Sequence, residues 1–90
     1  MNGSASDSLI EYPSAFPIKV MGRNVDGFVD AVIGVARMHD AGLDAATVTT
    51  RLSAGGKYLG VTITVTATSR AQLDALYLAF TAHPMVKAVL

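Results

Sequence analysis

Alternating apolar and polar positions predict two of the strands of this chain. The first predicted strand stops at Gly22, and its inward residues are Phe16, Ile18 and Val20. The clearest alternation predicts a strand at residues 59–67, whose inward residues are Leu59, Val61, Ile63, Val65 and Ala67. Because successive side chains of a strand point to opposite faces, we expect the threonines between them to face away from the core.

Two further strands are predicted, one before and one after residues 59–67 in the sequence. A weaker alternation predicts its hairpin partner, with an inward set of Ala46, Val48, Thr50 and Leu52. The intervening residues 53–57 read Ser-Ala-Gly-Gly-Lys and predict the hairpin connection. A last apolar run at residues 86–90 predicts a final strand.

A first amphipathic helix is predicted between the first two strands. Its apolar stripe recurs at spacings of three and four and consists of Val25, Phe28, Val29, Val32, Ile33 and Ala36. Asn24 is predicted to cap its N-terminus and Gly42 to stop it. Gly34 interrupts the stripe, and we expect it to mark a close approach to a strand.

A second amphipathic helix is predicted between the last two strands. Ser69 and Gln72 fit a capping box, in which each side chain satisfies the other residue's backbone N–H. The stripe that follows consists of Leu73, Leu76, Tyr77 and Phe80, and Pro84 ends the helix.

The order β-α-β-β-α-β predicts an α+β fold, the ferredoxin-like sandwich, with a four-stranded antiparallel sheet and both helices on one face. Residues 9–90 are expected to form this single domain, and residues 1–8 a disordered tail. Nothing in the chain covers the second sheet face, which we expect to bind a second copy or another protein. The candidate interface residues on that face are Met21, Thr62, Thr64 and Thr66.

Composition narrows the class of protein. Seven basic residues balance seven acidic ones, so no general attraction to nucleic acids or anionic membranes is expected. The chain has no cysteine, which excludes disulfides, thiol nucleophiles and thiolate metal sites. No basic residue precedes Lys19, and the longest apolar runs are short, as at residues 75–80, so a cytoplasmic protein without a membrane span is expected.

Motifs for catalysis are not apparent, and we expect neither an enzyme nor a cofactor. His39 and His83 lack metal-ligand spacing and are expected near helix C-termini. Gly56 and Lys57 suggest a phosphate loop, but the required earlier glycine and following hydroxyl residue are missing. No G-x-S-x-G elbow occurs.

A candidate effector loop follows the first strand and consists of Gly22, Arg23 and Asn24. A helix N-terminus can bind an anion there, although Asp26 and Asp30 would repel a phosphate. The alternative is structural: Gly22 turns the chain, Asn24 caps the helix and Arg23 is solvated.

Three segments resemble the small bacterial YbeD-like family: Phe16-Pro17-Ile18-Lys19-Val20-Met21-Gly22, residues 56–68, and Met85-Val86-Lys87-Ala88-Val89-Leu90. The resemblance covers residues 9–90 and implies a ferredoxin-like fold similar to ACT regulatory domains. It also implies a connection with lipoate metabolism and carries no catalytic residue.

Three functions remain open. The first is a non-enzymatic regulatory or adaptor domain that acts through protein–protein contact on the threonine-bearing sheet face. The second is an ACT-like domain that binds a small-molecule effector at the loop after the first strand. The third, an acyl- or phosphate-processing enzyme, is disfavoured because no basic residue lies between Arg23 and Arg37.

Overall fold

Two ten-residue strands form the centre of the sheet in the computed structural model, which describes residues 11–90. The strands are β1 (Ser14–Arg23), β2 (Thr49–Leu52), β3 (Tyr58–Ala67) and β4 (Val86–Val89). The helices are α1 (Phe28–Arg37) and α2 (Arg70–Ala82), with a 3-10 helix at Ala45–Thr47. The predicted β-α-β-β-α-β order is confirmed, while the expectation of a disordered tail at residues 1–8 lies outside the described residues.

The sheet has the strand order β2-β3-β1-β4, and each neighbouring pair is antiparallel. The β1–β3 ladder sets Ile18 opposite Ile63 and Val20 opposite Val61. Both βαβ crossovers therefore skip one strand, as a ferredoxin-like sandwich requires. Beyond β4, Leu90 exchanges two backbone hydrogen bonds with Lys19, at 2.8 and 3.2 Å.

One core joins the inner sheet face to both helices. The inward residues of β1 and β3 pack with Phe28 and Val32 of α1 and with Leu76 and Phe80 of α2. Nearly all the predicted core is confirmed; its fully buried strand residues are Ile18, Val20, Val61, Ile63, Val65 and Ala67. Phe16 is only partly buried because it lies at the open end of β1.

The start of α1 differs from the prediction. The helix is capped at Gly27, which has a positive φ of 86° and makes no side-chain cap bond, so Asn24 is not the cap. Asn24 instead donates its side-chain amide to the Gly56 carbonyl at 3.1 Å, and its backbone N–H to Lys57 at 2.9 Å. Val25, expected in the stripe, precedes the helix and is 50% exposed.

The end of α1 also comes earlier than predicted. The helix ends at Arg37 with Met38 as its C-cap, so Gly42 is not the stop. Asp40 turns the chain by accepting the Gly42 N–H at 3.2 Å. Gly34 lies on the exposed side of the helix with no atom within 4 Å of an added Cβ, so the expected close approach to a strand is wrong.

Replacing Gly34 by alanine is therefore expected to stabilise the protein by about 0.5–1 kcal/mol, since alanine restricts the unfolded chain and favours the helix. Gly34 does not have a positive φ, so the alanine is unstrained. Urea denaturation with Gly27→Ala as the contrast measures the change, because Gly27 does have a positive φ and should lose stability. A loss of stability in Gly34→Ala would contradict the helix assignment.

The second strand is shorter than predicted because a polar turn replaces its first half. Asp44 accepts the Ala46 N–H at 2.9 Å and caps the 3-10 helix, so Ala46 lies outside the strand. The β2 residues are all exposed, including Leu52 at 54%. Thr50 and Leu52 do lie opposite Val61 and Leu59 on the inner face, but they are exposed at the edge of the sheet.

The capping box of α2 is half confirmed. Ser69 Oγ accepts the Gln72 N–H at 3.0 Å. The Gln72 side chain does not return to Ser69; its oxygen accepts the Thr68 N–H at 2.7 Å, and its nitrogen donates to His39 and Thr66 carbonyls. Gln72 thus connects the start of α2 to β3 and to the residues after α1.

Candidate functional site on the outer face of the sheet

The outer face of the sheet is the one turned away from both helices. Residues directly opposite each other in a ladder share a face, so the pairing defines it. Lys19 lies opposite Thr62, Met21 opposite Gly60, and Pro17 opposite Thr64. From β2, Arg51 lies opposite Gly60 and Thr49 opposite Thr62.

The structure brings the predicted interface residues onto this one face. Met21, Thr62 and Thr64 are half-buried although neither helix covers them, since their neighbours on adjacent strands shield them. Thr66 is exposed at the end of the face, where its N–H donates to Asp40 Oδ2 at 2.8 Å. Their function as an interface stays a prediction.

A small depression lies in this face where β3 carries a glycine. We call it the Lys19–Arg51 slot; its volume is about 160 Å³, and its lining residues are Lys19, Met21, Arg51, Leu52, Ser53 and Gly60. Gly60 leaves the space above the sheet open between β1 and β2, whose axes are separated by roughly 10 Å, or two strand spacings. A Cβ at Gly60 would lie 3.2 Å from Lys19 Cε, so the lysine stem borders the slot directly.

Charges are segregated between the sheet and the rest of the molecule. Within residues 11–90, no Asp or Glu lies in a strand. The strands carry four basic residues, which are Lys19, Arg23, Arg51 and Lys87. The formal charge of the chain is zero, but all the charged side chains of the sheet are positive.

The cations of the slot have no partner charge within residues 11–90. Among residues 11–90, the ion pair found between two described side chains joins Arg70 to Asp74 at 3.4 Å on α2. Lys19 and Arg51 make neither an ion pair nor a side-chain hydrogen bond within the described chain. Asp40, which accepts the Thr66 backbone N–H, is six residues along β3 from Gly60, or roughly 20 Å.

The basic character continues toward the β2–β3 hairpin. Arg23 lies opposite Tyr58 on the same face, two residues beyond Met21 and Gly60. Lys57 Nζ lies 5.7 Å from the Tyr58 ring centroid, within reach of a cation–π interaction. The outer face therefore has a basic end around Gly60 and a neutral, threonine-bearing end around Thr64.

The candidate effector loop is largely built into the strand and the hairpin. Gly22 and Arg23 belong to β1, which continues one residue past the predicted stop. Gly22 is buried, and an added Cβ would collide with the Met85 carbonyl and the Phe28 ring. Asn24 is exposed but donates its side-chain amide to the hairpin, so the exposed Arg23 guanidinium is the charged group that the loop presents to a ligand.

The histidines lie where helix ends were predicted to place them. His83 is the C-cap of α2, and His39 Nδ1 lies 3.3 Å from the Val35 carbonyl just past α1. No group of three or more metal-ligating side chains occurs in the described part of the chain. Neither helix of residues 11–90 is long and apolar enough to cross a membrane.

Sequence reasoning missed the Lys19–Arg51 slot because it depends on pairing between strands. Lys19 and Arg51 are far apart in sequence, and β3 between them brings both to Gly60. One signal was available: Gly60 interrupts the otherwise threonine-bearing outward positions of β3. A glycine within a strand often marks a close approach or an open site.

The fold and the uncovered basic face define a small ferredoxin-like α+β protein. The chain belongs to the protein family of unknown function DUF493, whose profile matches residues 7–90, and the YbeD-like resemblance is confirmed. It is 60% identical over 83 residues to a UPF0250 protein of Leptothrix cholodnii, covering 92% of this chain and 91% of the relative. It is 52% identical over 87 residues to a UPF0250 protein of Paraburkholderia phytofirmans, covering 97% of this chain and 98% of the relative.

A solved structure is similar in fold. The solution structure of protein HP0495 from H. pylori matches with a TM-score of 0.72 at 11% identity, over 100% of this chain and 94% of that chain. At this identity the likeness shows the fold alone, and it supports the ferredoxin-like assignment.

Proposed function

We propose that this chain is a non-enzymatic regulatory or adaptor domain of the cytoplasm that acts by protein–protein contact through the outer sheet face. The observation that carries this proposal is the four-stranded sheet with both helices on one side, so that no helix of residues 11–90 covers Met21, Thr62 and Thr64.

The composition of the face supports a non-obligate contact. A methionine and a row of threonines present methyl groups and hydroxyls together, so the face is neither as polar as a fully solvated surface nor as apolar as a core. Such mixed surfaces are typical of partners that also exist apart. The connection with lipoate metabolism implied by the resemblance gives a first cellular setting in which to seek a partner.

Photocrosslinking tests the proposal directly. A photoreactive residue in place of Thr64 is expected to give a discrete crosslinked species in the native host, since this position lies within the proposed contact. The control position is Leu78, which is 70% exposed on α2. Crosslinks at Leu78 with none at Thr64 would overturn the proposal.

A charged substitution on the outer face distinguishes a homodimer from a complex with another protein. If the contact is a homodimer, Thr64→Lys should lower the sedimentation coefficient of the associated protein over a concentration series, because the lysines repel across the two-fold axis. Thr50→Lys is the matched control, since Thr50 is exposed on the opposite face of the same sheet. A wild type that stays monomeric at high concentration would exclude the homodimer.

A further inference from the structure

We propose that the Lys19–Arg51 slot receives the carboxylate of an Asp or Glu side chain, and that the partner of the outer face is an acidic polypeptide segment. This inference rests on the proposed function and names the chemistry of its partner.

Charge is the first argument. Two cations on strands that flank β3 border the same depression, and neither has a partner charge within residues 11–90. The two residues lie on strands that β3 separates, so their charges are close enough to act on one anion without being a directly opposed pair. The strands supply no carboxylate side chain to do so.

Shape is the second argument. The missing side chain at Gly60 opens the slot between Lys19 and Arg51, and the lysine stem lies against the glycine. A volume of about 160 Å³ accommodates one side chain, whereas drug-sized ligands and cofactors occupy roughly 300–1,000 Å³. The walls are mostly the aliphatic parts of these side chains, and the proposal places the ammonium and guanidinium groups at the rim, where both would donate to one carboxylate.

The surroundings favour a polypeptide over other anions. The half-buried Met21 lines the slot, and the half-buried Thr62 lies opposite Lys19. A protein segment can cover both residues, whereas a free small anion cannot. Single-stranded nucleic acids bind on aromatic platforms, and the middle of this face carries threonines with Tyr58 at one end. A second copy docked face to face would bring its own cations against these, so the charge pattern disfavours it.

Amide chemical shifts of isotope-labelled protein test this proposal with a capped hexaglutamate peptide as the probe. Saturable shifts are expected at Lys19, Arg51 and Gly60, and they should weaken as salt is raised, since exposed charges are screened. A capped hexaglutamine peptide should leave these amides unmoved. No shift with hexaglutamate, or shifts confined to the helices, would overturn the proposal.

Paired variants identify the side chains responsible. Lys19→Gln with Arg51→Gln is expected to weaken hexaglutamate binding about tenfold, because each exposed charge pair contributes a few-fold. Arg37→Gln with Arg70→Gln also removes two charges, but from the helices on the other side of the sheet, and should bind as wild type does. Thermal melting verifies that both double variants fold. If both double variants weakened hexaglutamate binding equally, the effect would come from overall charge, and the proposed carboxylate site in the slot would be overturned.

Other anions are separate arms of the same titration. Acetate or inorganic phosphate that binds as tightly as hexaglutamate would make this a small-anion site, and a thymidine hexanucleotide that binds more tightly would make it a nucleic-acid site; either overturns the proposal. A Thr64 crosslink that survives in Lys19→Gln with Arg51→Gln would leave the proposed function standing without the slot. Hexaglutamate bound at the slot, with no crosslink at Thr64, would leave the slot standing without the proposed function.

Discussion

Truncation of Ile63 to alanine is expected to lower the free energy of unfolding by about 2–5 kcal/mol, because it leaves a cavity at the centre of the core. Ile63 has 0% of its surface exposed and pairs with Ile18, another fully buried residue. This loss is a large share of the total free energy of unfolding, which is about 5–15 kcal/mol for native proteins. Urea denaturation at a fixed temperature measures it.

Two variants accompany this measurement. Ile63→Val removes one methyl group and should cost about 0.5–1.5 kcal/mol, which keeps the test readable if the alanine variant does not fold. Thr64→Ala changes the neighbouring residue on the outer face and should have a small effect. An unchanged denaturation midpoint for Ile63→Ala would mean that β3 faces the other way.

Gly22→Ala is expected to destabilise the protein by about 1–3 kcal/mol, since the added methyl group has no space. It would lie 2.5 Å from the Phe28 ring and also collide with the Met85 backbone carbonyl, which cannot rotate away. The collision would separate β1 from α1 and from the residues that lead into β4. Thermal and urea denaturation both report the loss.

Gly34→Ala is the matched control for this substitution. The same methyl group is added at both positions, in open space at Gly34 and against packed atoms at Gly22, so the two changes should have opposite signs. A stabilised Gly22→Ala protein would show that the contact of β1 with Phe28 is looser than the structure has it.

Local periodicity explains why much of the fold could be predicted. The alternation of β3 and the apolar stripe of α2 each lie within one short, continuous segment of sequence, and both are buried in the same core. The prediction for the start of α1 is wrong because a contact between residues distant in sequence decides it. Asn24 looks like a helix cap in sequence, but its amide is bound by Gly56, 32 residues away.

The start of β2 shows a different failure. Ala46 and Val48 fit an alternating pattern, yet Asp44 and Thr47 form a local polar turn that competes with the strand. That signal was present in the sequence as a capping residue before Ala45, and the apolar pattern outweighed it. The Lys19–Arg51 slot, in contrast, required the register of three strands, which no local pattern supplies.

The short strands at the two edges of the sheet have a consequence for aggregation. The two edge strands, β2 and β4, are four residues each, so each of them offers a foreign strand few backbone groups to pair with. Short edges that carry charges such as Arg51 and Lys87 are a common defence against amyloid-like extension. The same defence makes β-augmentation unfavourable along β2 and β4 themselves, and the broad outer surface of the sheet offers a partner the larger area.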